Sequence, residues 1–252
     1  MNERDALPAG FVRFNHNGIE VVCAEYVADA TRRALDAGTL HRYAETHPTA
    51  RPLTGRGIAY AATLPNDIER VVVRHNHHGG MFASITNDLF RRPTRAPHEL
   101  ATSERLRRSG VATPTMLGYA IYPAALGFCR VDVMSREVSD SFDLSAILMD
   151  DDRSFHVDAW DATKQLVVSL NEIGAVHRDL NVKNVLLRHA PHGGLEAFVL
   201  DVDRVEFVAV GPAASEANRS RLLRSAMKWK TERGAPITDG ELNALDASLK
   251  ES

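Results

Sequence analysis

Cysteine is scarce in this chain. Only Cys23 and Cys129 occur among 252 residues, with no metal or redox spacing between them. That excludes a disulfide framework and favours a reducing compartment such as the cytoplasm. Long apolar runs are also missing. The longest mostly apolar stretch, 118–129, is interrupted by Pro123, whereas a membrane-spanning helix needs about 20 such residues. A surplus of one charge is absent as well. A formal net charge of −3 argues against bulk attraction to nucleic acid, though local basic patches remain available. The opening MNERDALPAG is charged and has no apolar core, so a signal peptide is not expected. No internal repeat or low-complexity segment is visible.

What remains is an ordinary globular composition, 44% hydrophobic and 25% charged, enough for one large domain or two lobes. Residues 28–44 read as a helix. Residues 58–64 and 71–74 read as strands joined by the turn formers Pro65, Asn66 and Asp67. Thr94 is placed to cap a helix starting near Arg95, with Pro97 in its first turn and Gly110 past its end. Strands are expected over 116–122 and 128–134. The second half changes character. Trp160, Leu166, Val167, Leu170 and Ile173 recur at helical spacing, and Gly174 ends that helix. A hairpin then runs from 185–187 through a glycine-rich turn to 197–201. A basic helix is expected over 218–230. Thr238 and Glu241 have capping-box spacing ahead of a short terminal helix. The composition shifts near 135–145, so the expected division is 1–134 and 135–252.

The segment VHRDLNVKNVLL, residues 176–187, concentrates polar groups between apolar runs. His177-Arg178-Asp179-Leu180, then three intervening residues and Asn184, fits the H-R-D-L-x-x-x-N loop of kinases. The chemistry explains the spacing. Phosphoryl transfer needs an acceptor hydroxyl held in line with the γ-phosphate and divalent metal on the phosphate oxygens. In that reading Asp179 orients the hydroxyl and accepts its proton. Lys183 lies near the transferring group. Asn184 turns back to hold Mg2+. Flanking strands make the loop rigid, which positioning requires. Asp201, ending the next strand, supplies a second metal ligand. Asp201-Val202-Asp203 stands where kinases carry D-F-G. The competing structural reading is a buried salt-bridged turn without catalysis; His177 itself is expected to be a hydrogen-bonded core histidine in either case.

A kinase also needs groups over the nucleotide phosphates. Gly55 and Gly57 permit close backbone approach, although a plain turn explains them equally well. Val71-Val72-Val73-Arg74 occupies the place of V-A-I-K, with Arg74 keeping the charge and adding a forked donor. Its expected partner is Glu99, with Glu104 as the rival. Adenine is expected against backbone around 134–137. His75, His77 and His78 with Gly79-Gly80 lack a carboxylate or cysteine at ligand spacing, so they read as a solvated or substrate-facing loop rather than a metal site. Basic neighbourhoods at Arg91, Arg92, Arg95, Arg105, Arg107 and Arg108, and at Arg219, Arg221, Arg224, Lys228 and Lys230, read either as ordinary helix surface or as docking sites for anionic lipid or an acidic sugar.

Together these pieces resemble the lipopolysaccharide core kinases, and among them the 3-deoxy-D-manno-octulosonic acid (Kdo) kinases. The resemblance covers about 53–228. Its kinase-general parts are 177–187 and Asp201. Its more specific parts are Arg74-His75 with the double glycine, and Arg221-Leu222 with Arg224-Ser225. It implies an α+β, bilobal protein-kinase-like fold with a strand-rich N-lobe and a helical C-lobe. It implies ATP-dependent phosphorylation of Kdo on lipid A precursor, at the 4-hydroxyl, at the cytoplasmic face of the inner membrane. Asn171 departs from the histidine often found before the loop, and Val202 from the usual aromatic. The chain after Asp201 has no A-P-E motif and is short for the activation segment of a regulated protein kinase, which points to a non-protein acceptor. A heptose kinase, an antibiotic phosphotransferase and a catalytically silent kinase-like module are the alternatives.

Overall fold

The computed structural model describes residues 7–54, 58–76 and 88–250. The chain divides into two compact units. The first comprises Met1–Glu104 and Thr115–Glu137, the second Arg105–Pro114 and Val138–Ser252. Residues 105–114 therefore join the second unit, which no single cut in the sequence achieves.

The first unit is built on an antiparallel sheet. Strands β1 (Phe11–His16) and β2 (Ile19–Ala24) form a hairpin. Its turn residues Asn17 and Gly18 both have positive φ, 51° and 85°, as a type I′ turn requires. The Asn-Gly pair is a local hairpin signal in the sequence. The helix expected over 28–44 is two helices, α1 (Ala28–Leu35) and α2 (Leu40–Thr46). Gly38 takes φ 114° between them, and Thr39 caps α2 by accepting from the Arg42 N–H at 3.0 Å. Then come β3 (Arg51–Thr54), β4 (Ile58–Thr63), β5 (Arg70–His75), β6 (Phe90–Arg91), α3 (Ala96–Arg108), β7 (Met116–Pro123) and β8 (Phe128–Arg136). Thr94 does not cap α3: its hydroxyl has no hydrogen-bond partner among the described residues.

The sheet order is β1-β2-β7-β8-β5-β4-β3, with β6 on β8. Apolar side chains alternate between two cores because successive strand residues face opposite ways. Val21, Cys23, Val71, Val73 and Met134 pack with Leu40 and Ala44 of α2. Val22, Tyr119, Ile121, Val131 and Val133 pack with Ala96 and Leu100 of α3. Both cysteines are buried free thiols.

The second unit holds β9 (Ser141–Asp143), α4 (Leu144–Ile147), α5 (His156–Glu172), β10 (Ala175–His177), β11 (Val185–His189), β12 (Leu195–Val199), β13 (Val205–Phe207), α6 (Pro212–Arg233) and α7 (Asp239–Lys250). Strands β12, β11 and β9 form one small sheet and β10 pairs β13. The core gathers Leu144, Leu148, Leu166, Leu170 and Leu187 with Leu222, Leu242, Leu245 and Leu249. Gly174 ends α5 at φ 65°, where an added Cβ would lie 2.2 Å from the Val208 carbonyl oxygen. The capping box forms as the sequence suggests. The Glu241 N–H donates to Thr238 Oγ1 at 3.1 Å, and the Thr238 N–H donates to Glu241 Oε2 at 2.6 Å. Helix α6 is longer than expected at both ends. Pro212 opens it and Gly234 in the left-handed region closes it.

Candidate active site

The loop between β10 and β11 is held by its neighbours on both sides. Ala175, Val176, Val182 and Val185 are buried in the core of the second unit or at its edge. That answers why so polar a loop is flanked by apolar strands: burial of the flanks fixes the ends of the loop.

His177 is the organising residue. It is fully buried. The Asp179 N–H donates to its Nδ1 at 3.1 Å, so Nε2 carries the proton and donates to the Leu200 carbonyl at 2.9 Å. One imidazole therefore ties the residue before Asp201 to the backbone of Asp179. Burial holds its pKa below the usual histidine range, against the pull of the Leu200 carbonyl and of the Asp201, Asp179 and Asp203 carboxylates.

Asn184 Nδ2 donates to the Asp179 carbonyl at 2.8 Å. This turns Oδ1, the end of the amide that binds cations, away from that contact. The Leu200 N–H donates to the Asn184 carbonyl at 2.9 Å, so the loop and the Asp201 segment are joined at a second point. Asp201 itself has φ 52° and ψ 46°, a left-handed conformation uncommon for a non-glycine residue. It opens a short 3-10 turn, Val202–Arg204. Lys183 places its Nζ 5.8 Å from the centre of the Trp229 ring. Asp143, at the end of β9, senses that charge. Burial raises the Asp143 pKa and the nearby Lys183 opposes the rise.

The donor set fits Mg2+. Asn184 Oδ1 and the Asp201 carboxylate are hard oxygen ligands, and magnesium is commonly held by one or two carboxylates together with substrate phosphates. Among the described residues no group of three or more His, Cys, Asp or Glu side chains is placed to hold a metal by protein ligands alone.

In the first unit, Arg74 on β5 donates through Nη2 to Glu99 Oε1 on α3 at 2.5 Å. Glu99, the expected partner, is the one that pairs; its side chain is only 9% exposed. Gly55 and Gly57 lie outside the described residues, as do His77, His78, Gly79 and Gly80. In the segment expected to face adenine, the Glu137 side chain takes ion pairs from Arg51 at 2.6 Å and Arg70 at 2.5 Å.

Two features were not legible in the sequence. His75 belongs to β5 and not to a solvated loop. Its Nδ1 lies 2.6 Å from Asp132 Oδ1, and Asp132, fully buried, also accepts from Tyr122 Oη at 2.8 Å and the His41 N–H at 2.9 Å. Asn218 is equally buried. Its side chain accepts from the His177 N–H at 3.0 Å and donates to the Ala175 carbonyl at 2.8 Å and to Asn171 Oδ1 at 3.0 Å. The only local hint is a polar amide on the apolar side of a helix.

A strand-rich unit with an arginine–glutamate pair between sheet and helix, and a helical unit whose H-R-D-L-x-x-x-N loop is tied to a D-x-D segment, define a phosphotransferase of protein-kinase-like fold. Comparison with known proteins narrows the class. The model of the lipopolysaccharide kinase (Kdo/WaaP) family matches residues 44–245, so the chain belongs to that family. It is accordingly a kinase of lipopolysaccharide biosynthesis that uses an alcohol acceptor. A 3-deoxy-D-manno-octulosonic acid kinase of Actinobacillus succinogenes is 27% identical over 76% of this chain and 80% of its own length. One from Stenotrophomonas maltophilia is 30% identical over 73% of this chain and 72% of its own. A solved structure of WaaP in complex with acyl carrier protein superposes with a TM-score of 0.54 at 15% identity, covering 88% of this chain and 86% of that one. That likeness supports the fold.

Proposed function

We propose that this kinase transfers the γ-phosphoryl group of ATP to a hydroxyl of Kdo, the 4-hydroxyl, on a lipid A precursor. The observation that carries the reading is the double tie between loop and metal segment: His177 joins Asp179 to Leu200, and Asn184 joins the same two stretches. It holds the expected base and the expected metal ligands in one rigid frame, which phosphoryl transfer by positioning requires. The curated relatives quoted above supply the acceptor by their names.

In this reading Asp179 orients the acceptor hydroxyl and takes its proton. Asn184 and Asp201 hold Mg2+, which when bound with nucleotide offsets charge on the phosphate oxygens. Lys183 donates toward the transferring group. In the first unit Arg74, braced by Glu99, contacts the α- and β-phosphates. The acceptor is a lipid, and no described helix is long and apolar enough to cross a membrane. Peripheral, salt-sensitive association with the cytoplasmic face of the inner membrane follows, through arginine-rich surface. The test incubates purified protein with ATP, magnesium and Kdo-bearing lipid A precursor. The reading expects a product heavier by one phosphoryl group; no product on this acceptor, with product on another sugar or none at all, rejects it.

A further inference from the structure

We propose that Arg221 and Arg224 form a subsite for the carboxylate of the acceptor sugar, beside the catalytic loop; this rests on the Kdo reading above. Helix α6 lies along that loop through one stripe of residues spaced by four. Arg221 Nε donates to the Arg178 carbonyl at 3.0 Å. Ser225 Oγ accepts from the Val182 N–H at 3.2 Å. Trp229 lies beneath Lys183. The same spacing follows from the helix repeat.

Arg221 is anchored twice, because its Nη1 also donates to the Ala217 carbonyl at 3.0 Å. One anchor belongs to the peptide bond that leads into Asp179. The guanidinium is thus half-buried and held one peptide unit from the proposed base. Its remaining N–H donors have no partner among the described residues.

The other cations of α6 are already engaged. Arg219 pairs with Glu216 and Asp246, Lys228 with Glu232, and Lys230 with Asp239. Arg233 stacks on Trp229 at 4.8 Å. On the loop, Arg178 pairs with Glu206. Among the described residues, Arg221 and Arg224 of α6 have neither a carboxylate partner nor an aromatic one. They stand three apart and therefore on neighbouring flanks of the helix.

A guanidinium pre-positioned by backbone carbonyls loses little freedom when it takes up a carboxylate, and its fork suits that group. Kdo is an acid whose reacting hydroxyl and carboxylate share one sugar. With the hydroxyl on Asp179, an anchored cation one peptide away recognises the acid and rejects neutral sugars.

Steady-state kinetics on two acceptors test this: the Kdo-bearing lipid A precursor and its Kdo methyl ester. The wild type is expected to favour the acid in kcat/KM by roughly tenfold or more, the range of a charge-assisted hydrogen bond. Arg221→Ala and Arg224→Ala should raise KM for the acid, leave KM for ATP unchanged and bring the acid-to-ester ratio toward one. Arg221→Lys should retain part of it. Loss of the Arg178 contact can lower kcat on both acceptors alike; only the ratio reports carboxylate binding. An unchanged ratio in both alanine variants overturns the subsite, as does a wild type indifferent to esterification. A third acceptor lacking the lipid A phosphates separates the anions. If the variants abolish discrimination there instead, the arginines bind lipid phosphate and the proposal fails. A wild type that phosphorylates none of the three overturns the acceptor reading itself.

Discussion

Arg74 and Glu99 meet at 2.5 Å, one on the middle of a sheet and the other in the first turn of a helix packed on it. The carboxylate is nearly buried while the guanidinium is 37% exposed. Removing the arginine takes a charged hydrogen-bond donor from a buried acid, at a cost on the order of 1–3 kcal/mol; removing the carboxylate leaves the cation near solvent. Arg74→Ala should therefore lower the melting temperature more than Glu99→Gln. Both should raise KM for ATP, whereas Glu104→Gln should leave it near wild type. Equal KM effects at Glu99 and Glu104 would show that the pair plays no part in nucleotide binding.

Asp179→Asn and Asp201→Asn should each lower transfer by about two orders of magnitude or more, the scale of a lost general base or metal ligand. The ties that hold the loop run through backbone atoms and the side chains of His177 and Asn184, all of which both variants retain. Circular dichroism melts should then stay close to wild type while the phosphorylated product disappears from mass spectra. Near-normal turnover in either variant rejects the assigned role.

His75 and His177 should titrate on opposite sides of the ordinary histidine value of about 6.5. Burial disfavours the charged form of His75, but hydrogen bonds and charge from Asp132 and Asp88 outweigh it and raise its pKa. Its stabilising contribution is complete below the unfolded value and is lost as pH rises through the raised folded value. His177 is lowered by burial. In its case the unfolded chain binds the proton more readily, so stability falls as pH drops below about 6.5 toward the folded value. Histidine-resolved NMR titration checks both directions; two coincident midpoints would contradict the buried networks.

Glu241 offers a third pH-dependent element. Burial pushes its carboxyl upward, but hydrogen bonds from Thr238, Arg153 and His156 prevail and bring the pKa down to about 2. Its contribution is present above the unfolded carboxylate value of about 4.3 and disappears as pH falls toward the folded one. Glu241→Gln and Thr238→Ala should each cost about 1 kcal/mol near neutral pH, as lost caps do. The deficit of Glu241→Gln relative to wild type should shrink in acid. A constant deficit from neutral pH to pH 3 would assign the loss to packing.

The H-R-D-L-x-x-x-N pattern, the hairpin after it and the capping box were all readable from the chain, because each is a short-range pattern. Residues a few positions apart specify a turn, a cap or a hairpin without knowledge of what packs on them. The Asn17-Gly18 hairpin is equally local, whereas the break at Gly38 is masked by the helical periodicity around it.

Other features needed three dimensions. The choice of Glu99 over Glu104 depends on how α3 is rotated against its sheet, since five positions on a helix separate two side chains by more than a full turn. His75 looked like part of a histidine-rich loop until strand register set it opposite Asp132, 57 positions away. Asn218 acquires a purpose only because α6 packs on β10, 41 positions earlier in the chain. The sequence by itself determined which chemical groups are present and their local geometry. Only the tertiary structure decided which of them are buried together, because a buried polar group must find its partner wherever packing brings one, and that partner is seldom a neighbour in the chain.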